Sequence, residues 1–311
     1  MIYFIVNPVS GCGLGLRKWN KLEKLIQRKG LEYEAYLTSH PGDAREYAAT
    51  LGSASLDERV VAVVGGDGTM NEVVDGLDMR QPVQMAYLPV GASGELQNCL
   101  HLTRSPRAFC RKLLSGVSYR LLDYGIASCG TDEVVHRRFM TGAGLGLDAA
   151  VRHSVNHSSF KRLLHFLRLE KWIYFFIGCR QILCAHPVRG YLLLDGVKRV
   201  EFQHMYMAMA NVLSDARESR FFERYAREEG QTDGRLQVCV ISSAFRPKLI
   251  PVLFRLYGRS GKKSRNVRRF LCSEVIFHTE RPIAVHADGE SCLTQSDIQI
   301  SCVEKKIKMI V

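Results

Sequence analysis

The sequence predicts an α/β protein in two parts: a doubly wound, mostly parallel sheet, then an antiparallel sheet domain with helices on one side. Three observations carry this. Strand and helix signals alternate up to about Leu121, the pattern of a parallel sheet with helical crossovers. Beyond Leu121, strand-like runs follow one another with few helices between them. Charge divides at the same place: residues 1–125 hold 14 basic and 13 acidic groups, residues 126–311 hold 29 and 18, and the whole chain is formally +12.

In the first part, Ile2–Val6 is a short apolar run ended by Asn7-Pro8, which suits a buried parallel strand. Leu16, Trp19, Leu22 and Ile26 recur at helical spacing, and Gly30 supplies the stop. Leu31–Leu37 reads as a strand, Asp43–Leu51 as a helix and Val60–Val64 as a strand apolar on both faces. A short helix follows Gly65-Gly66-Asp67-Gly68; then come a strand over Val83–Leu88, a glycine-containing loop and a helix near Ser105–Leu114.

In the second part, strands are expected at Leu121–Ser128, Val134–Met140, Arg189–Leu194, Val197–Gln203, Met205–Ala210 and Leu236–Ile241. Asp195-Gly196 between two of them is a hairpin signal, because a type I′ turn needs two residues that tolerate positive φ. Helices are expected near Phe160–Cys184 and Pro247–Tyr257.

With 311 residues, 46% hydrophobic and 24% charged, the chain has the composition of a globular protein, not of a disordered, collagenous or coiled-coil one. The basic second part suggests an anionic partner, with nucleic acid and acidic membrane both open at this point. The ten cysteines contain no CxxC pair, which argues against a zinc ribbon or a thioredoxin-type site. No signal peptide is recognised, so the cysteines are expected to be reduced in a cytoplasmic protein. Leu163–Cys184 is apolar but contains Arg168, Glu170, Lys171 and Arg180, too many charges for a membrane span.

The strongest chemical signal is Gly65-Gly66-Asp67-Gly68-Thr69, where an apolar strand runs through a glycine turn into a helix. Glycines let backbone N–H groups approach phosphate, and the helix N-terminus adds partial positive charge. A carboxylate in such a loop would repel phosphate unless a divalent cation lies between them, so Asp67 implies Mg²⁺. Gly11-Cys12-Gly13-Leu14-Gly15 is not a dinucleotide fingerprint, since Leu16 stands at the third glycine position. A phosphate-facing turn over Asn7, Pro8, Val9, Ser10 and Gly11 is the better reading, and no P-loop motif occurs.

Taken together, these residues resemble the diacylglycerol kinase catalytic-domain family, which includes bacterial soluble lipid kinases and the sphingosine and ceramide kinases. The ordered elements are Asn7-Pro8-x-Ser10-Gly11, Thr38 with Pro41-Gly42-Asp43-Ala44, and Gly65-Gly66-Asp67-Gly68-Thr69-x-Asn71-Glu72-Val73. Later come Gly142-x-Gly144-x-Gly146-x-Asp148, Asp233-Gly234-x-Leu236 and Asp288-Gly289-Glu290. The resemblance implies an ATP- and Mg²⁺-dependent lipid kinase. Its ATP site would comprise Asn7 to Gly11, Thr38, Gly65 to Asn71 with Met70 among them, and Gly91 and Ala92. Glu290 would be the base acting on the acceptor hydroxyl, with Asp67 as the second catalytic residue. Metal ligands would be Asp67 and Glu95 for the transferred phosphate, and Asp233 with the backbones of Gly230 and Arg235 for a structural ion.

The resemblance further implies an α/β nucleotide-binding domain over 1–121 and 301–311, and a β-sandwich-like lipid-substrate domain over 122–300. The partner would be a lipid at an anionic membrane surface, the location cytoplasmic and peripheral; a homodimer is left open. One segment departs from the family pattern. Where the family reads Gly-Thr-x-Asn-Asp-Phe-Ala, this chain reads Gly91-Ala92-Ser93-Gly94-Glu95-Leu96-Gln97, with Glu95 in place of the aspartate. The glycine-rich segment after Asn211 is replaced by a charged run, Asp215 to Glu229.

Other features weigh less. His153 and His157 are spaced for a metal, but the glutamate of a zinc-protease motif is absent. The run Arg255, Arg259, Lys262, Lys263, Arg265, Arg268 and Arg269 suits a solvated loop or anionic headgroups. It lacks the interleaved aromatics of a nucleic-acid binder, so no nucleic acid is expected. Trp172, Tyr174, Phe175 and Phe176 suit either a buried or an interfacial helix. Two rival functions stay open: a NAD-kinase-like or other small-molecule kinase on the same loop, and a catalytically degenerate lipid or nucleotide binder.

Overall fold

Val60-Val61-Ala62-Val63-Val64 has no polar face, and a strand of that kind must be covered on both sides. The computed structural model describes residues 1–51, 59–80, 83–90, 94–115, 119–130, 134–156, 180–181, 185–212, 233–249 and 266–311. Its first part alternates β1 (Ile2–Val6), α1 (Ser10–Arg28), β2 (Tyr33–Leu37), α2 (Asp43–Thr50), β3 (Val60–Gly65), α3 (Asp67–Gly76) and β4 (Val83–Pro89). Two further helices follow, α4 (Glu95–Leu100) and α5 (Pro106–Ser115). β1 pairs in parallel with β2 and β3, and β3 with β4. One face of these strands, with Phe4, Val6, Ala62, Val64 and Leu88, packs on Trp19, Leu22 and Ile26 of α1 and Phe109 of α5. The opposite face, with Ile5, Val61, Val63 and Met85, packs on Ala44 and Ala48 of α2 and Met70, Val73 and Val74 of α3. Helices therefore cover both faces, as the sequence predicts.

The second part holds β5 (Tyr119–Cys129), β6 (Val135–Phe139), β7 (Gly142–Gly146), α6 (Leu147–Asn156), β8 (Val188–Leu194), β9 (Lys198–Asn211) and β10 (Leu236–Ser242). It ends with β11 (Val267–Cys272), β12 (Glu274–Ala287) and β13 (Glu290–Ile310). Long strands change neighbours along their length: β12 meets β8 through Val275–Thr279 and β7 through Val285–Ala287. The Asp195-Gly196 hairpin forms with both residues at positive φ, 49° and 68°.

Several expectations need correction. Val197–Gln203 and Met205–Ala210 form one strand, β9, which runs on through His204 although its register against β8 shifts between Phe202 and Met205. Arg268 and Arg269 belong to β11, not to a loop, and Arg268 Nη1 donates to the Glu201 carbonyl at 3.0 Å. Strands β11, β12 and β13 add to the runs read from the sequence, and β7 forms from the glycine motif Gly142–Gly146. His157, the run over 213–232, residues 250–265 and nearly all of the helix expected over 160–184 lie outside the described residues.

β13 joins the two parts. It pairs antiparallel with β12 and β5, then runs parallel beside β4 through Ile307↔Val83 to Ile310↔Ala86. One apolar core continues across it, from Ile5, Val63 and Met70 to Leu122, Phe139, Leu145, Ile298 and Met309.

Candidate functional site

β1 and β3 lie side by side in register, Val6 opposite Val64, so the segments after them leave the same edge of the sheet. In an open α/β sheet this carboxyl edge is where ligands bind. Asn7 ties the two segments together. Its amide nitrogen donates to Thr69 Oγ1 at 2.9 Å, and its carbonyl oxygen accepts from the Ser10 N–H at 3.0 Å. Gly11, Cys12 and Gly13 all take positive φ (58°, 58° and 86°), turning the chain into α1. Gly15 then passes so close to Asn7 that a Cβ would lie 2.0 Å from the Asn7 carbonyl oxygen. The Gly11-x-Gly13-x-Gly15 spacing thus serves a tight turn and a close crossing.

Gly65 ends β3 against the Thr69 side chain, and Gly66 is the extended residue before α3. A Cβ on Gly66 would come 3.5 Å from Ser10 Oγ, whereas Gly68 and Gly13 face open space. Asp67 opens α3, where the helix N-terminus favours its charge. The Tyr87 hydroxyl, at the end of β4, donates to Asp67 Oδ1 at 2.9 Å and lies 3.3 Å from the Gly65 carbonyl. Burial first, then the Asp67 charge, pushes the Tyr87 phenol well above its ordinary range, so it stays a donor. A Cβ on Gly94 would stand 3.6 Å from Asp67 Oδ1, which brings the start of α4 against the same carboxylate.

Of the other predicted residues, Thr38 is buried at the end of β2, its N–H donating to the Val6 carbonyl at 2.9 Å. Val9 is exposed, while Pro8 and Ser10 are half-buried in the turn. Met70 points into the core, so only its backbone is available at the loop. Asn71 turns away from the loop: its amide nitrogen donates to Asp288 Oδ2 at 3.1 Å and to the Arg138 carbonyl at 3.0 Å. Gly91, Ala92 and Gly230 lie outside the described residues, and Glu95 is described only as the first residue of α4.

The Asp288-Gly289 turn, with φ 47° and 90°, leads into Glu290, the first residue of β13. Asp288 accepts from the N–H groups of Met140, Thr141 and Gly142 at 2.7, 3.1 and 2.8 Å and from the Thr141 hydroxyl. Arg45 of α2 places Nη2 2.8 Å from Glu290 Oε2 and Nε 2.8 Å from Asp75 Oδ2. Arg137 Nη1 reaches the same Asp75 oxygen at 3.1 Å. Glu72 accepts from the Gly42 N–H at 3.2 Å, and burial, with the Glu290 charge behind it, raises its carboxyl above the usual range. Half-buried Lys18 donates to the Pro89 carbonyl at 2.7 Å; burial, then Arg104, lowers its pKa.

Asp233 and Arg235 lie elsewhere. Asp233 Oδ1 accepts from the Arg235 N–H at 3.1 Å, and buried Asp123 holds the Gly234 and Lys305 N–H groups at 2.9 and 2.8 Å. Lys305 immediately precedes the segment paired with Val83, the first residue of β4. The Asp233 turn is therefore about 20 Å from Gly65, a strand's length away at the opposite edge. The metal ligands expected from the sequence thus fall at two separate places. Among the described residues, no three His, Cys, Asp or Glu side chains are grouped to hold a metal. At the loop edge this donor set fits Mg²⁺, which binds through one or two carboxylates, substrate phosphates and water and does without a protein cage.

Tyr87, Arg45 and Lys18 were missed in the sequence reading. Tyr87 is hidden in a strand whose apolar run makes any aromatic read as core. Its place near the carboxyl end of β4, opposite Val63 and two residues before the position paired with Gly65, is the signal that would have found it.

Comparison with known proteins accounts for the whole chain. A model described as the diacylglycerol kinase catalytic domain matches residues 1–145. A second, described as the YegS C-terminal NAD kinase beta sandwich-like domain, matches residues 142–311. YtlR of Bacillus subtilis, which bears a provisional lipid kinase name, is 25% identical over 301 residues, 93% of this chain and 92% of its own. The crystal structure of a provisionally named diacylglycerol kinase from Bacillus anthracis is similar with a TM-score of 0.72 at 20% identity, covering 99% of this chain and 96% of that one. Yeast NADH kinase has the related fold, with a TM-score of 0.56 at 10% identity over 100% of this chain and 83% of its own. No described helix is long and apolar enough to cross a membrane.

Proposed function

The chain belongs to the diacylglycerol kinase catalytic-domain family of lipid kinases, and on that footing we propose that it transfers the γ-phosphate of ATP to the hydroxyl of a lipid such as diacylglycerol. The observation that carries this reading is the junction of two distant motifs. Asn71, next in line after the glycine loop, hydrogen-bonds Asp288, and Arg45 pairs with Glu290. Helix α3, which starts at the glycine loop, thereby meets the turn that carries Glu290, which supports reading the two motifs as parts of one site.

In this reading the Gly65–Thr69 backbone and the α3 N-terminus hold the phosphates, with Asn7 fixing the loop and Ser10 beside it. Mg²⁺, when bound beside Asp67, would neutralise charge on the phosphates. The acceptor oxygen forms the new bond to the γ-phosphorus as the bond to the β–γ bridging oxygen breaks. The hydroxyl proton passes to Glu290, and ADP leaves. Arg45 holds Glu290 by one carboxylate oxygen, which would leave the other to accept the proton. Asp233, Gly230 and Arg235 would serve the opposite edge, where a structural ion remains a proposal. The excess basic charge of residues 126–311 would draw the protein to an anionic lipid surface.

The test is labelled ATP with vesicles of phosphatidylglycerol carrying diacylglycerol, monoacylglycerol or a sphingoid base, and soluble NAD in a parallel arm. Transfer to a lipid is expected, and Asp67→Asn and Glu290→Gln should each lower it about 10²-fold with nucleotide binding retained in Glu290→Gln. Transfer to NAD alone would replace the lipid by a dinucleotide. ATP binding without transfer to any acceptor would leave a nucleotide-binding regulator.

A further inference from the structure

Two buried polar side chains behind the Asp288-Gly289 turn have no part in the chemistry above. His286 Nε2 lies 2.6 Å from Asp148 Oδ2, and the two side chains are 5% and 4% exposed. On the other side of the ring, the Gly289 N–H donates to His286 Nδ1 at 3.1 Å. That contact fixes the tautomer: Nδ1 must be the unprotonated acceptor, so the ring proton sits on Nε2 and is given to Asp148. Asp148 is in the first turn of α6, where the helix N-terminus supports a buried carboxylate. Gly144 makes room for the pair, since a Cβ there would lie 2.1 Å from Asp148 Oδ2 and 2.3 Å from His286 Nε2.

We propose that His286, held by Asp148, is a positioning residue that sets the peptide plane before Glu290 for phosphate transfer. This rests on Glu290 acting at the acceptor hydroxyl. The turn is pinned at two successive residues, Asp288 by the 140–142 amides and Gly289 by His286, and both take positive φ. Asp288 fixes where the turn sits, and Gly289 fixes how the next residue leaves it. Without the His286 acceptor, the Gly289 N–H loses the contact that sets the plane of the following peptide and Glu290 loses its aim, at the scale where a shift of about 1 Å can cost up to ~10²-fold in rate.

Two replacements separate positioning from stability, because each keeps one end of the imidazole. His286→Gln can still donate to Asp148 but offers nothing to Gly289. His286→Asn can still accept from Gly289 but gives up the hydrogen bond to Asp148 Oδ2. With diacylglycerol in phosphatidylglycerol vesicles as acceptor, His286→Gln should lower kcat about 10-fold or more with KM for ATP unchanged. Amide exchange in the peptide holding residues 288–291, which needs no acceptor, should quicken in the same variant. His286→Asn should keep most of kcat while its melting temperature falls further. In a Glu290→Gln background, His286→Gln should add no further loss of transfer, since it acts only through Glu290. The proposal is overturned if His286→Gln keeps both rate and exchange protection. It is equally overturned if rate follows melting temperature across the two variants, or if the losses multiply in the double variant. Should Glu290→Gln itself leave transfer intact, the reading of Glu290 as base fails, and the exchange measurement alone decides whether His286 sets the turn.

Discussion

Asp67 brings a negative charge to the loop proposed to hold phosphate, and the Tyr87 hydroxyl hydrogen-bonds that carboxylate. The phenol is buried, stays protonated and donates to one carboxylate oxygen, which holds the carboxylate in place at the start of α3. Tyr87→Phe keeps the ring and its packing but removes a hydrogen bond to a charged group, an interaction worth about 1.5–3 kcal/mol. Transfer should fall roughly 10-fold while the melting temperature stays within a few degrees, read from steady-state rates and thermal unfolding of one preparation. A rate equal to wild type would show that Asp67 needs no such anchor. At this scale motif residues were legible and their supports were not. Glycines around a carboxylate announce Asp67, because turn geometry and charge demand those residue types locally, whereas Glu290 is singled out by the family resemblance of Asp288-Gly289-Glu290. Tyr87, Arg45 and His286 act through partners as far as 245 positions away, as Arg45 and Glu290 are, and no local pattern encodes that pairing.

Helix α3 shows how one element serves both loop and acceptor side. Its first turn holds Asp67, its second turn turns Asn71 toward Asp288, and Glu72 faces the start of α2 beside the Arg45–Glu290 pair. Burial holds the Glu72 carboxyl above its ordinary value, with the Glu290 charge acting in the same direction. The folded protein therefore keeps this proton to a higher pH than the unfolded chain, and stability declines as pH rises from the ordinary carboxylate value through the folded one. Glu72→Gln removes that penalty while keeping an acceptor for the Gly42 N–H. Relative to wild type, the variant should gain stability at about pH 8 compared with about pH 4, measured as denaturant midpoints at both. A difference that does not change with pH, or one that favours the variant more at acid pH, would remove Glu72 from that account. Elements whose apolar residues form one clear run, such as β1 and β3, were predicted from the sequence nearly to their ends, whereas only the C-terminal end of α1 was. β7 was not, because Gly142-Ala143-Gly144-Leu145-Gly146 has no β-branched residue and its glycines are set by neighbours: the Asn211 side chain and the Asp148–His286 pair.

At the scale of the whole molecule, β13 binds the two parts into one body. It runs antiparallel between β12 and β5 and ends parallel beside β4, so its last residues complete the sheet that carries the glycine loop. Asp123, 1% exposed, adds a polar tie by holding the Gly234 and Lys305 amides from two other segments. The shift from alternating helices to successive strands was visible in the sequence; the shared strand and the shared core were not, since both depend on contacts between distant segments. A core that runs unbroken from Ile5 to Met309 should make unfolding a single cooperative event, even though two family models divide the chain near residue 142. A nucleotide that binds only the folded state then stabilises the whole chain, by about 2.7 kcal/mol at a hundred times its Kd. Thermal unfolding with and without ATP and Mg²⁺, followed by far-ultraviolet circular dichroism and by fluorescence of Trp19 and Trp172, should give one coincident transition that moves upward as a unit. Two transitions, with nucleotide raising only one, would mean that residues 1–121 and 122–300 unfold independently and that β13 does not couple them.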